Sequence, residues 1–328
     1  MMLNANLTLS QSIELMLKSK QEKNIQEILS LMKESVNSGK PIEKLLNKKI
    51  AFLGNSSILF LKLGIENGNI KESINSLVKL LSESKKSRDK LNDTMRYPII
   101  LIISLFVSIA MIFIYVLPNF EYIFKMLEGN LPLSTQILLS IKEFLNNYAI
   151  ILIIVFFGFI YSIYLLYVKF KYKFDKFFIN NIPILSELIK SYLFFQLFLS
   201  ISIIVKSKYQ FQIAIEHSKY IIKNLYIQEM MKNILINIKN GNSIANSFEK
   251  SLLFDDLTIR LLYTAEQTNN YETILNNITT YYKQKFIKSI KLFSSILEPT
   301  IVLLISLVVL WLILSVMLPI WNLSSVIS

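Results

Sequence analysis

Three long stretches of the chain, 97–120, 144–168 and 299–328, contain no Lys, Arg, Asp or Glu. Within them run PIILIISLFVSIAMIFIYVLP, AIILIIVFFGFIYSIYLLYV and PTIVLLISLVVLWLILSVMLP, almost wholly apolar. Each extends for about 20 residues or more, enough at 1.5 Å per residue to cross a hydrocarbon core of roughly 30 Å. Buried helices of a soluble core rarely reach that length without one charge, so the pattern predicts transmembrane helices at 97–118, 148–168 and 299–319. A fourth apolar run, YLFFQLFLSISIIV at 192–205, is shorter, flanked by Lys190 and Lys206 and interrupted by Gln196. It predicts a buried helix of a bundle rather than a span.

Elsewhere the apolar residues recur at helical spacing, as in Ile28, Leu31, Met32 and in Ile234, Leu235, Ile238. The punctuation between these runs repeats. Pro98 and Pro118 map onto Pro299 and Pro319, Gly64 onto Ala265, Gly68 onto Asn269, and Ile74 onto Leu275, all at an offset of 201. Gly39 maps onto Gly241 at 202, one insertion away. Gly39 and Gly241 read as left-handed helix ends, with Pro41 opening the next helix. Gly68 and Asn269 read as tight helix–helix turns, Asn being the residue best tolerated there after Gly. The helices that follow, through Ile70, Ile74, Leu77, Leu81 and through Ile274, Ile278, Tyr281, run on toward the first and third spans. Pro98 and Pro299 are expected in the first turns of those spans, where proline costs no helix bond, and Pro118 and Pro319 at their ends.

Charge sets the topology. The chain carries 35 basic and 23 acidic residues, a net of +12, with 53% hydrophobic residues and a mean hydropathy of +0.46. The segment 119–147 holds Lys125 and Lys142 against Glu121, Glu128 and Glu143, a net of −1, while the remaining polar segments carry +13. Clusters such as Lys85, Lys86, Arg88 and Lys169, Lys171, Lys173 flank the spans on one side. The positive-inside rule then puts the N-terminus and 169–298 in the cytoplasm and the C-terminus outside. The basic excess is a topological signal, and direct nucleic-acid binding is not expected. The first 20 residues hold no sustained apolar run, so no cleavable signal peptide is expected.

The expected fold class is an all-α integral membrane protein with two related cytoplasmic helical bundles and three transmembrane helices. Its segments are 1–96, a first cytoplasmic helical domain; 97–118, the first span; 119–147, a short outer loop; 148–168, the second span; 169–298, the second cytoplasmic domain; 299–319, the third span; and 320–328, an outer tail. Ile13 aligns with Ile215, so nothing in the first copy matches the 185–205 helix, and its opening helix is expected to be missing. Either the true start lies upstream or a partner or second copy covers the exposed face.

Catalytic signatures are absent. There is no cysteine and one histidine, His217, so thiol chemistry is excluded and histidine-rich metal sites with it. Gly39-Lys40 is the only Gly-Lys pair and lacks the rest of a phosphate loop; neither HExxH nor GxSxG occurs. No catalytic, cofactor-binding or metal site is expected. His217 reads as a satisfied or surface residue, and Asp255-Asp256 as a helix cap.

The order of the remaining motifs resembles the type II secretion F / type IV pilus C (GspF/PilC-like) inner-membrane platform proteins, including competence pseudopilus homologues. The family's G-E-x-[ST]-G-x-L turn is similar to Gly64-Ile65-Glu66-Asn67-Gly68-Asn69-Ile70, with Ile in place of Glu at the second position. It is similar again to Ala265-Glu266-Gln267-Thr268-Asn269-Asn270-Tyr271, which keeps Glu266 and Thr268 and loses both glycines. Tyr97-Pro98 resembles the entry to the first span and Val116-Leu117-Pro118-Asn119-Phe120 its exit. Leu131-Pro132-Leu133-Ser134-Thr135 resembles the L-P-x-x-T that follows, and Glu298-Pro299 the E-P before the last span.

The resemblance implies a non-enzymatic inner-membrane platform that couples a cytoplasmic hexameric secretion-type ATPase to assembly of pilin-like subunits. Its implied partners are that ATPase, pilin or pseudopilin membrane helices, the bilayer and further copies of itself. Glu66 and Glu266 are expected either to pack or cap around their turns or to contact a cytoplasmic partner. Glu298, at the membrane boundary, is expected to pair with Lys291, a lipid-facing cation or a translocating subunit. An oligomeric small-solute transporter or an intramembrane enzyme is the alternative, but the spans offer only scattered Ser and Gly158 as polar or broken positions.

Overall fold

A computed structural model describes residues 2–46, 49–120, 132–219 and 221–327. Among them there is no strand. The helices are α1 (Leu9–Lys18), α2 (Lys23–Ser38), α3 (Ile42–Leu46), α4 (Ile50–Glu66), α5 (Ile70–Met111), α6 (Leu133–Lys169), α7 (Lys171–Asn180), α8 (Pro183–Lys206), α9 (Phe211–Ser218), α10 (Leu225–Lys239), α11 (Ile244–Glu249), α12 (Asp256–Thr268) and α13 (Tyr271–Ile327). They form two compact units, Met1–Arg88 with Asp175–Ser289, and Asp89–Phe174 with Ile290–Ser328.

In the first unit the repeat is visible element by element. The starts of α9, α10 and α11 lie 202 residues after those of α1, α2 and α3, and α13 begins 201 after α5. The shift falls between α3 and the kink at Gly54, where α4 breaks before continuing as the counterpart of α12. Turn chemistry follows the sequence: Gly39 caps α2 at φ 66°, Gly241 follows α10 at φ 87°, and Gly68 and Asn269 take φ 67° and 51°. After α10, the Gly241 amide bonds the Ile238 carbonyl and the Asn242 amide the Asn237 carbonyl, a Schellman-type closure.

The main core is built around α8. Its side chains are buried on every side from Leu193 to Ile204 except at Gln196, joined by Ile215, Met231, Phe248, Leu262, Leu275 and Tyr282. Three first-copy residues, Phe60, Leu77 and Leu80, lie in this same cluster. The rest of the first copy has a smaller core of its own, Ile13, Ile28, Leu29, Met32, Ile42, Leu46, Ile58 and Leu61. By length and hydropathy α8 could cross a membrane, but 72% of its apolar window is buried inside the protein, so the interior of the bundle explains its composition.

The second unit is exposed and apolar. The helices running Ile70–Phe120 and Tyr271–Pro319 are long and apolar enough to cross a bilayer, with 0% and 17% of their apolar windows buried. In α6 the described side chains from Tyr148 to Val168 are exposed, Ile154 and Phe157 each at 66%. Nothing soluble leaves such a surface bare, and the chain is a multi-pass membrane protein.

The prolines depart from expectation. Pro98 and Pro299 do not open helices; they lie inside α5 and α13, because both helices arrive already formed from the preceding turns. Each removes one backbone donor, leaving the carbonyls of Thr94 and Ser295 without their usual partner four residues on. Nor do Pro118 and Pro319 end helices: the first continues to Phe120 and α13 to Ile327.

Candidate functional site

The second-copy turn is closed by a carboxylate. At the end of α12, Glu266 accepts the amide of Ile244 through Oε1 and that of Ala245 through Oε2, the latter at 3.1 Å. These are two of the amides that a helix start leaves without internal partners. Ser243 serves a third, accepting from the Asn246 amide at 3.2 Å. Thus Glu266 packs and caps, and its oxygens are occupied within the chain. Thr268 turns its hydroxyl back to the Thr264 carbonyl at 2.8 Å and, among the described residues, adds no link beyond its own helix.

The first-copy turn is open. Ile65 stands where Glu266 stands, and a cleft of about 630 Å³ lies between the α2–α3 turn (Gly39, Lys40, Pro41, Ile42) and the α4–α5 turn (Gly64, Ile65, Glu66, Gly68, Ile70). Glu66 is exposed on its rim. Gly64 forms the narrow floor between α4 and α5: a Cβ there would meet the Ser73 Cβ at 2.7 Å and Ile70 Cδ1 at 2.9 Å. Across this contact the Ser73 hydroxyl donates to the Phe60 carbonyl.

Asp255 is the helix cap its sequence position predicts and also the hub of a polar cluster. It is the N-cap of α12, accepting the Thr258 amide at 3.3 Å, and it also accepts the Tyr281 hydroxyl at 2.6 Å, the Tyr282 hydroxyl at 3.2 Å and the Lys285 ammonium at 3.2 Å. Lys285 reaches Glu187 of α8 as well, at 3.1 Å. Burial would raise the Asp255 carboxyl, but the Thr258 and Tyr281 hydroxyls and the Lys285 charge outweigh it and hold the group below the ordinary range. Burial foremost, and Asp255 with it, pushes the Tyr282 phenol up, so it stays protonated. Spacing of 26 to 30 residues between partners on different helices left no local signal of this cluster.

A second tie joins the repeat copies. Glu83 on α5 accepts the Lys283 ammonium of α13 at 2.6 Å, with Lys86 at 3.2 Å. The hydrogen bond from Lys283 is the main reason the Glu83 carboxyl lies below its usual range. Nearby, the Ser76 and Ser207 hydroxyls meet at 3.2 Å, and the Tyr209 hydroxyl donates to the Leu63 carbonyl at 2.6 Å.

In the second unit, Thr135 of the L-P-x-x-T segment is fully buried, and its hydroxyl donates to the Ser315 carbonyl at 2.6 Å. That carbonyl is the one Pro319 deprives of a helix donor, so the two motif residues are halves of one interaction. Around it pack Leu117, Leu138, Leu312 and Val316. Before Pro118 the helix adjusts differently, with a π-turn over Ile112–Val116 in which the Leu117 amide reaches back to the Ile112 carbonyl. Pro132 starts α6, its carbonyl accepting the amides of Thr135 and Gln136 at 3.0 Å each. Leu131 lies outside the described residues.

The structure does not bring the other expected residues together. Glu298 is exposed and makes no ion pair with Lys291, which lies seven residues back along one helix, roughly 10 Å away at 1.5 Å per residue. Tyr97 is half exposed beside buried Pro98. His217 is half-buried in the last turn of α9. Among the described residues no group of His, Asp and Glu side chains is placed to hold a metal ion.

Compared with known proteins, residues 1–118 and 198–319 match the family described as Type II secretion system (T2SS), protein F. The chain belongs to this family. The matched segments end on Pro118 and Pro319, the two prolines that the repeat superposes. Among its relatives is the type IV pilus assembly protein PilC of Pseudomonas aeruginosa, 21% identical over 330 residues, covering 100% of this chain and 88% of the relative. The protein transport protein HofC homolog of Haemophilus influenzae is 24% identical over 340 residues, covering 100% and 83%. The type II secretion system protein F of Vibrio cholerae is 21% identical over 267 residues, covering 81% and 66%. Within this T2SS F family member, the Gly64–Gly68 and Ala265–Asn269 turns have therefore diverged from each other in how they close.

Proposed function

We propose that this protein is the membrane platform of a type IV pilus or type II secretion-like machine. In this reading it performs no chemistry of its own; it couples a cytoplasmic hexameric ATPase to the assembly of pilin-like subunits whose membrane helices pass beside the spans. The names of its relatives, which include pilus assembly and secretion proteins, support the setting. The observation that carries the mechanism is that α5 and α13 each run without interruption from a helix–helix turn into an exposed apolar stretch, and are tied to each other by Glu83 and Lys283. A displacement at either turn would then pass along a helix rather than through a loop. The charge asymmetry supports a cytoplasmic N-terminus and 169–298 segment and an outer C-terminus. Working copies act as a homo-oligomer around the growing filament.

Between the two turns, the first is the better ATPase contact. Glu266 is held by two amides, while Glu66 stands exposed at an open cleft. The double variant Ile65→Ala/Glu66→Ala is expected to weaken recovery of the ATPase with the membrane protein and to reduce surface filaments. Unchanged recovery with unchanged filaments would remove the cleft as the contact. Deletion of the gene, scored separately for surface filaments, DNA uptake and secretion, tests the platform reading itself; no defect in any of the three would overturn it.

A further inference from the structure

Where α6 ends and α7 begins, the backbone breaks at Phe170, with φ −113° and ψ 28°. Upstream, the exposed surface of α6 is apolar through Val168, and Tyr161, Tyr164 and Tyr167 recur every third residue along its last two turns. Lys169 is the first charge after that run. The ammonium groups of Lys169 and Lys173 lie 5.5 and 5.4 Å from the Phe170 ring centre, one from each side of the break. Lys171 and Lys176 complete a run of four cations within eight residues, interleaved with the exposed rings of Phe170, Tyr172 and Phe177.

Among the described residues the run has no counter-charge. Its only acid, Asp175, is buried and occupied, accepting the Leu225 amide at 2.7 Å where α10 starts. Among the described residues none of the four lysines makes an ion pair, whereas Glu14, Glu27, Glu34, Glu83, Glu187 and Glu272 elsewhere each take a lysine. Lys176 instead lies 5.9 Å from the Tyr226 ring. Aromatic rings beside unpaired cations, at the first charge after a membrane-length apolar surface, match the chemistry of a lipid headgroup layer: anionic phosphate above, acyl boundary below.

We propose that the elbow Lys169–Lys173 binds the headgroups of anionic phospholipids, with Lys169, Lys171 and Lys173 on the phosphates and Phe170 and Tyr172 in the interface. This requires only that the chain is a membrane protein; it is independent of the pilus and ATPase reading.

The test uses the purified full chain in nanodiscs made from equal parts phosphatidylcholine and phosphatidylglycerol, with the lipids that stay bound counted by native mass spectrometry. Wild type should retain phosphatidylglycerol in excess over its share. Lys173→Gln, which leaves three cations and hence membrane insertion in place, should cut that excess by about fivefold, the scale of one lysine at an anionic surface. Lys169→Gln/Lys171→Gln/Lys173→Gln should abolish it, and Lys→Arg at the same three positions should restore it. Removing three exposed lysines elsewhere, Lys18→Gln/Lys20→Gln/Lys23→Gln, should leave it unchanged. The proposal fails if the elbow variants retain wild-type enrichment, if the distant triple variant loses as much, or if soluble glycerol phosphate strips the phosphatidylglycerol, since that would mark a site for a small phosphate and not for a lipid.

Discussion

In the second copy of the repeat, a carboxylate fastens the α12 end to the start of α11, and Asp255 gathers Thr258, Tyr281, Tyr282 and Lys285 at the other end of α12. In the first copy the same positions hold Ile65, Gly54, Ser57, Leu80, Leu81 and Ser84. There the turn opens into a cleft, and a kink at Gly54 (φ 75°) replaces the capped helix start. Two copies of one fold thus differ at these positions: the second is closed there by internal polar ties, whereas the first leans on apolar contact with the core around α8 and on cross-copy ties such as Glu83–Lys283.

The sharpest break of this comparison is to separate the copies. In a fragment 1–92, Phe60, Leu77 and Leu80 lose their cover, and three large side chains at about 1.5–3 kcal/mol each amount to much of a small domain's stability. That fragment is expected to show no cooperative thermal transition by circular dichroism, while 172–292 melts cooperatively. Equal melting of both would mean that the first copy is self-sufficient. Next in size, Glu266→Ala should destabilise 172–292 by about 3 kcal/mol in urea unfolding, since it strips charged acceptors from two amides. Glu66→Ala in the full chain should change stability by less than about 0.5 kcal/mol. A large effect of the second would show that Glu66, too, is held within the chain.

The Asp255 cluster predicts a difference in acid sensitivity. Its carboxyl is held below the ordinary value of about 4, so its stabilisation is complete above that pH and is lost as pH falls through the lowered folded value. Unfolding of 172–292 followed between neutral pH and pH 3 should therefore steepen at the acid end, and Asp255→Asn should flatten that limb while costing about 1–2 kcal/mol at neutral pH. An unchanged acid limb in the variant would assign the sensitivity to other carboxylates.

The smallest effect concerns the paired prolines. Thr135→Val should cost about 1 kcal/mol in detergent-solubilised protein, within the range of interhelical hydrogen bonds in membranes. In a Pro319→Ala background the same substitution should cost almost nothing, because the restored amide can serve the Ser315 carbonyl. Equal costs in both backgrounds would separate Thr135 from Pro319. No such coupling is expected with Pro118, whose helix relaxes through the π-turn.

The sequence alone determined the all-α class, the apolar spans, the repeat and its turns, because each is written in local periodicity, in runs long enough to need a membrane, or in residues that favour left-handed backbone. It identified 192–205 as part of a core helix against its composition, since that apolar run is shorter than a span, flanked by Lys190 and Lys206 and interrupted by Gln196. Glu266 was legible as a choice between cap and contact, and only the position of the α11 amides decided it. The Asp255 hub, the Glu83–Lys283 tie and the Thr135–Pro319 pairing join residues 26 to 200 apart, and no local spacing announces them. The prolines show the limit best. Sequence marks where a backbone donor is missing, but whether the helix stops, bulges or borrows a hydroxyl depends on which side chain the tertiary fold places beside the orphaned carbonyl.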